Sequence, residues 1–291
     1  MKSLTILGSF GGPRTTDEVR PFLHDLLCDP NVTETPLPPF LHRFLFSSIA
    51  TARTPVARRH YQTIGGYSPL YSEVEKLAQS MTELSKEPIL PFHRYLSATH
   101  PDLIEKAKQA EKISLFPLFP QTWGIAGFLE WLQKHLHKEI HCVPPYGTHP
   151  LFIEAYQRHI RSCLSSAEDT LFIFSAHGLP EKYTEYKKEC EQSAHAIMKG
   201  FPKSQSVICY QSRFGWGRWL KPYTKDICQS ISSFGKRKAL FIPLSFIHDN
   251  LETLYEIEQL YMPLITAQGI EAKRLTAIGQ SANWPQVATA I

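Results

Sequence analysis

The stretch Thr170–Pro180, TLFIFSAHGLP, restricts the fold more than any other part of the sequence. Leu171, Phe172, Ile173 and Phe174 form an unbroken apolar run that ends in small residues, then His177 and Gly178. Such a run, bounded by turn residues, reads as a strand buried on both faces, the usual state of a parallel sheet. In open α/β sheets reactive side chains stand just past the carboxyl ends of the strands. His177 falls at that point, with Gly178 behind it to let the backbone turn away. A second run, Lys238–Pro243 (KALFIP), leads into SFIHDNLETLYEIE and sets His248, Asp249, Glu252 and Glu256 at the start of a helix. One strand end therefore offers an imidazole and the other carboxylates, and the expectation is that they face each other across a cleft.

Strand and helix patterns alternate on both sides of this stretch. Before it, strands are expected at Lys2–Leu7, Ile89–Phe92 and Ile113–Pro117. Helices are expected at Asp17–Leu27 (capped by Thr15 or Thr16), Leu41–Thr51, Pro55–Ile64, Leu70–Leu84, Pro101–Ala110 and Ile125–His137. The alternation restarts with strand Ile140–Val143 and helix Leu151–Leu164. After the His177 strand come helix Glu181–Lys199, strand Ser206–Tyr210, helix Tyr223–Ser233, strand Lys238–Pro243, helix Glu252–Met262, strand Ile270–Leu275 and helix Trp284–Ile291. This order indicates α/β architecture with parallel sheets. A length of 291 residues suits two domains: an N-terminal α/β domain, 1–140, and a C-terminal one, 141–291, carrying His177 and Glu252. No fixed-period repeat is visible. The turn GSFGGP after the first strand lacks the dinucleotide-binding spacing, and Pro13 stops a helix from starting there.

Composition removes several function classes. The net charge of +4 is spread along the chain without a Lys/Arg block, so nucleic acid is not indicated. The six cysteines are isolated and form no CxxC, which argues against a zinc ribbon or a clustered iron–sulfur site and fits buried, reduced thiols. Met1 leads directly into KSLTIL, and no apolar stretch is long enough to span a bilayer. A soluble, cytoplasmic protein is expected.

Each candidate has a functional and a plain reading. His177 suits a proton acceptor or a metal ligand, although a strand-end histidine also serves packing. Glu252 and Glu256, four apart, share a helix face, as exposed acidic pairs also do. The loop Tyr210–Trp219, YQSRFGWGRW, offers aromatic faces and guanidinium groups to a large flat anion, or simply packs on the surface.

At SAHGLP, QSRFGWGRWLKPYT and DNLETLYEIE, in that order and spacing, the chain resembles the ferrochelatases. The resemblance continues in LGSFGGP, DEVRPFL, RTP and GYSPL, and so covers nearly the whole chain. It implies two similar Rossmann-like, chelatase-type domains around a porphyrin cleft, and an enzyme that inserts ferrous iron into protoporphyrin IX to form haem. By that resemblance His177 and Glu252 are the catalytic residues and the candidate iron contacts, on opposite sides of the macrocycle. Arg53, Tyr61, Ser68 and Ser212 match positions associated with the porphyrin propionates, and Phe10, Trp219 and Phe246 match apolar positions against the ring. Porphyrin and iron are then substrates, with no tightly bound cofactor; peripheral membrane contact is left open. Coproporphyrin or another tetrapyrrole is an alternative substrate, and a non-enzymatic porphyrin or haem carrier an alternative function.

The sequence also departs from the family pattern. The segment after His177 runs on as LPEKYTEYKKEC without the family's Gly-Asp-Pro-Tyr motif. Asn250 stands where the family often has histidine or cysteine, which changes any relay through that position. The chain ends at Ile291 without a cysteine-bearing tail, so no iron–sulfur cluster is expected. His248, four residues before Glu252, would share a helix face with it if the helix already begins there, as a proton relay or iron way-station; otherwise it lies in extended chain facing solvent.

Overall fold

The computed structural model describes residues 2–164, 167–215 and 217–291. The chain forms two compact units, Met1–Phe119 with Trp123–Pro144, and Pro120–Thr122 with Pro145–Ile291.

The first unit holds strands β1 (Ser3–Ser9), β2 (Ile89–His93), β3 (Lys112–Pro117) and β4 (Ile140–Cys142) in one parallel sheet of order β2-β1-β3-β4. β4 pairs with β3, so the expected division between residues 140 and 141 falls inside a strand of the first sheet. Around this sheet lie α1 (Val19–Leu27), α2 (Pro39–Thr63), α3 (Leu70–Ser85), α4 (His100–Lys108) and α5 (Ile125–Leu136). The core joins Leu4, Ile6 and Leu115 of the sheet to Phe128 and Leu132 of α5, all at most 1% exposed. Burying side chains of this size stabilises the fold by roughly 2 kcal/mol each.

Two local expectations fail in this unit. Thr15 precedes a short 3₁₀ turn, Thr16–Glu18, without a capping hydrogen bond from its side chain. The helices expected at Leu41–Thr51 and Pro55–Ile64 are one helix, α2, with Pro55 inside it. Proline removes one backbone donor, but Pro55 is exposed, so the released carbonyl side faces water. The Thr51 and Thr54 hydroxyls meanwhile bond back to the Ser47 and Ala50 carbonyls at 3.0 and 2.7 Å.

The second unit repeats the plan. Strands β5 (Thr170–His177), β6 (Gln205–Gln211), β7 (Lys238–Pro243) and β8 (Glu271–Arg274) form a parallel sheet of order β6-β5-β7-β8. Its helices are α6 (Pro150–Cys163), α7 (Thr184–Met198), α8 (Thr224–Gln229), α9 (Met262–Thr266) and α10 (Trp284–Ala290). Residues Thr170–Ala176 of β5 are all buried, as a central strand covered on both faces must be. The segment after β7 is a π-helix, Glu252–Tyr261, rather than an α-helix; the Met262 N–H reaches back to the Ile257 carbonyl. Of the cysteines, Cys190, Cys209 and Cys228 are buried as expected, but Cys163 is exposed and Cys28 and Cys142 are half-buried.

The common strand order is matched in sequence at the first strand of each unit. LTILGSFGGP (4–13) and LFIFSAHGLP (171–180) share leucine, isoleucine, glycine and proline at equivalent places. Phe10 and His177 then occupy the same aligned position, Phe10 immediately past β1 and His177 as the last residue of β5. Among the described residues no helix is long and apolar enough to cross a membrane.

Candidate active site

In a sheet of order β6-β5-β7-β8 the chain leaves β5 toward one edge and β7 toward the other, which opens a crevice outside their carboxyl ends. His177 ends β5, and Ser245 and Phe246 follow β7. The Phe246 ring and the imidazole stand perpendicular to each other, with centroids 6.3 Å apart and planes at 90°. The π-helix begins here with Glu252, whose Oε2 is 2.8 Å from His177 Nδ1. Both side chains keep a quarter of their surface exposed. The expectation that the imidazole and the carboxylate face each other across a cleft, on opposite sides of a macrocycle, is therefore corrected: at 2.8 Å nothing fits between them, and they form one hydrogen-bonded pair on one side.

A second layer fixes this pair. The Gly178 N–H donates to the Gln211 carbonyl at 2.8 Å, and a Cβ at position 178 would lie 2.2 Å from that oxygen. Gly178 therefore serves the close approach of β5 to β6. The Tyr186 hydroxyl, from α7, donates to the His177 carbonyl at 3.0 Å and lies 2.8 Å from Ser245 Oγ. Gln211 is buried; its Nε2 donates to the Glu252 carbonyl at 3.1 Å and to Glu256 Oε2 at 3.3 Å.

Ser212 sits just past β6 with φ of 60°, a left-handed conformation that costs a non-glycine residue roughly 1 kcal/mol. Its Oγ lies 2.5 Å from Glu252 Oε2 and 2.7 Å from Glu256 Oε2. A hydroxyl has one hydrogen to donate, so both contacts are hydrogen bonds only if one carboxyl supplies a proton. The electrostatics agree. Burial, then the adjacent Glu252 charge, pushes Glu256 up to about 7. For His177, burial alone lowers the pKa, but the charge and hydrogen bond of Glu252, with Glu256 behind, raise it overall. A hydroxyl committed to two carboxyl groups is poorly placed for a propionate, so Ser212 is a link between Glu252 and Glu256.

The loop before Glu252 corrects the reading of His248. The side chain is 3% exposed and packs against Gly279, where a Cβ would lie 2.4 Å from its Nδ1. It neither faces solvent nor shares a helix face with Glu252, because the helix starts after Leu251. Asn250 has a different job from the one its position suggested. Its Oδ1 accepts the N–H groups of Glu252 and Thr253 at 2.8 and 3.2 Å, capping the π-helix. The order Asn-x-x-Thr before an apolar run was the available sequence signal.

Other expected positions are distributed over both units. Trp219 is half-buried and bridges to Pro180, beside the segment that follows His177. Arg213 lies over the Tyr223 ring at 5.1 Å, whereas Trp216 of the same loop falls outside the described residues. In the first unit, Phe10 packs on Phe119 at 4.7 Å, past the ends of β1 and β3. Arg53 is exposed on α2, but Tyr61 and Ser68 are buried, with Gly12 packed on Ser68. Among the described residues no group of three or more His, Cys, Asp or Glu side chains is arranged to hold a metal ion.

Comparison with known proteins accounts for the architecture. Solved structures of SirB from Bacillus subtilis with Fe3+ and of CbiX, the terminal enzyme of sirohaem biosynthesis in denitrifying bacteria, superpose with TM-scores of 0.57 and 0.56. They cover all of this chain and 94% and 97% of theirs, at 11% and 12% identity, which establishes a shared chelatase fold. The ferrochelatases of Chlamydia muridarum and Chlamydia abortus are each 40% identical to it, over 96% and 98% of this chain and 90% and 94% of theirs. With the ferrochelatase family model matching residues 5–291, from β1 to the end of α10, the chain belongs to the ferrochelatase family.

Proposed function

We propose that this chain inserts ferrous iron into a porphyrin to form haem, with His177 and Glu252 acting as one unit. The 2.8 Å contact between them carries the assignment. Insertion requires two pyrrole protons to leave the macrocycle while iron sheds its water. A neutral imidazole that donates from Nδ1 to Glu252 carries its lone pair on Nε2, where it accepts a proton or meets a cation. Glu252 stabilises the imidazolium so formed, and this stabilisation grows as charge develops. Ser212 links Glu252 to Glu256, whose raised pKa suits proton exchange near neutral pH.

Phe246 and Trp219 are assigned to apolar contact with the macrocycle, which favours catalysis to the extent that they fit a bent ring better than a flat one. In the first unit Phe10 is assigned an apolar contact, and Arg53, one of the exposed cations of α2, a propionate. Iron enters as a substrate. The test is anaerobic insertion by the purified protein, followed spectroscopically with ferrous iron and protoporphyrin IX or coproporphyrin. His177→Ala is expected to abolish turnover and keep porphyrin binding; a variant turning over at the wild-type rate removes the assignment. Arg53→Ala is expected to raise the porphyrin KM with kcat nearly unchanged. A fall in kcat at constant KM contradicts the propionate contact.

A further inference from the structure

For the pair to act as one unit, Glu252 must be held still against His177. We propose that Arg274, the last residue of β8, is a positioning residue for the Glu252 carboxylate; the inference rests on the reading of His177 and Glu252 as the reacting pair.

Arg274 Nη1 donates to Asp249 Oδ1 at 2.6 Å and Nε donates to Glu258 Oε1 at 2.7 Å. The guanidinium side chain is 7% exposed and the Asp249 side chain 3%. Asp249 precedes Glu252 and Glu258 follows it, so one rigid planar group grips the chain on both sides of the carboxylate-bearing turn. From Asp249 the hydrogen bonds continue inward. The Thr253 hydroxyl donates to Asp249 Oδ1 at 2.8 Å, and the Asn250 N–H donates to Thr253 Oγ1 at 3.0 Å. Asn250 Oδ1 then accepts the Glu252 N–H at 2.8 Å. Arg274 is thus connected through Asp249, Thr253 and Asn250 to the backbone of Glu252.

A π-helix is rare and concentrated at functional sites, so contacts outside the helix must hold its register. A buried ion pair is also a weak source of stability, because desolvation offsets much of the attraction; its better use is to fix one geometry. Only arginine can do so here, since the ammonium of lysine lacks the fork that reaches two carboxylates at once.

The experiment compares Arg274→Lys with wild type in the full-length protein. It measures kcat and KM for iron insertion, porphyrin affinity by direct binding, and the downfield proton resonance of the His177 Nδ1–H, identified by its absence in His177→Ala. The expected result is a fall in kcat of about tenfold or more, with porphyrin affinity within about twofold, because small misplacements of a reacting group are costly. The imidazole resonance is expected to shift or vanish. Asn250→Ala should behave alike, and Asn250→Ser, which restores a capping oxygen, should recover most of the rate. If Arg274→Lys does not fold, the double variant Arg274→Met with Asp249→Asn, which removes both buried charges, decides by the same readouts. A folded variant with wild-type kcat and an unmoved resonance overturns the proposal. A wild-type protein that inserts no iron removes the reading beneath it, whereas the resonance separately reports whether Arg274 sets the contact.

Discussion

Replacing Glu256 by glutamine should reveal how much the fold gives up to keep this carboxyl beside Glu252. Burial and the neighbouring charge move Glu256 from 4.5 to about 7. Between those values the folded protein holds a proton that the unfolded chain has released, so stability falls as pH rises across the window. A rise of about 2.5, at roughly 1.4 kcal/mol for each, corresponds to a loss of up to about 3 kcal/mol above pH 7. The half-buried side chain keeps some contact with water, so this is an upper limit. His177, also raised, loses stability in the same direction as pH climbs past its ordinary 6.5, but it does so in both proteins and largely cancels. Urea denaturation at pH 5, 6.5 and 8 should therefore show Glu256→Gln gaining on wild type. The difference is expected to be under about 1 kcal/mol at pH 5 and to approach about 3 kcal/mol at pH 8. Parallel stability curves, with a constant difference across pH, would refute the raised pKa.

Gly178→Ala should destabilise by about 3 kcal/mol, at the upper end of overpacking costs, because its Cβ would meet the Gln211 carbonyl, which is backbone and cannot swing away; thermal denaturation reads this, and a wild-type Tm would contradict the close approach. Glu252→Gln keeps the shape and removes the charge, so insertion should stop or fall by about a hundredfold while porphyrin still binds; tolerance of glutamine in the insertion assay would show that the carboxylate takes no part. Tyr186→Phe removes the hydrogen bond to the His177 carbonyl and should lower kcat several-fold at constant KM, by loosening the ring rather than the substrate; an unchanged kcat would leave that bond with a purely structural role.

The sheets were legible because their strands carry the strongest signal a sequence offers, apolar runs stopped by turn residues. TLFIFSA is buried throughout, and KALFIP corresponds to β7 residue for residue. His177 and Glu252 could be located because strand ends are where such sheets expose chemistry. Other features were hidden for identifiable reasons. The single helix α2 was obscured by Pro55, whose usual breaking effect is relieved by exposure. The π-helix leaves almost no trace in side-chain order, since residues four apart still converge, as Glu252 and Glu256 do on Ser212. Arg274 gave no signal because its role depends on β8 lying beside β7, which pairing supplies and spacing does not. The environment of His248 was equally out of reach, since Gly279, which packs against it, lies far along the chain.

The matching strand order of the two sheets has a consequence for how chemistry can be acquired. The loop after β1 and the loop after β5 begin from one backbone plan, LTILGSFGGP in one and LFIFSAHGLP in the other. Each places a single side chain at the switch point of its own sheet. In one copy that side chain is Phe10, surrounded by Phe119, Trp123 and Phe128; in the other it is His177, held by a carboxylate. A doubled frame therefore lets one copy specialise in a reactive group while its twin keeps an inert aromatic surface, and neither has to remodel its strands to diverge. Reactivity in such a molecule is a matter of which copy was furnished with an acid, and that acid came from the π-helix that follows β7 rather than from the duplicated turn itself.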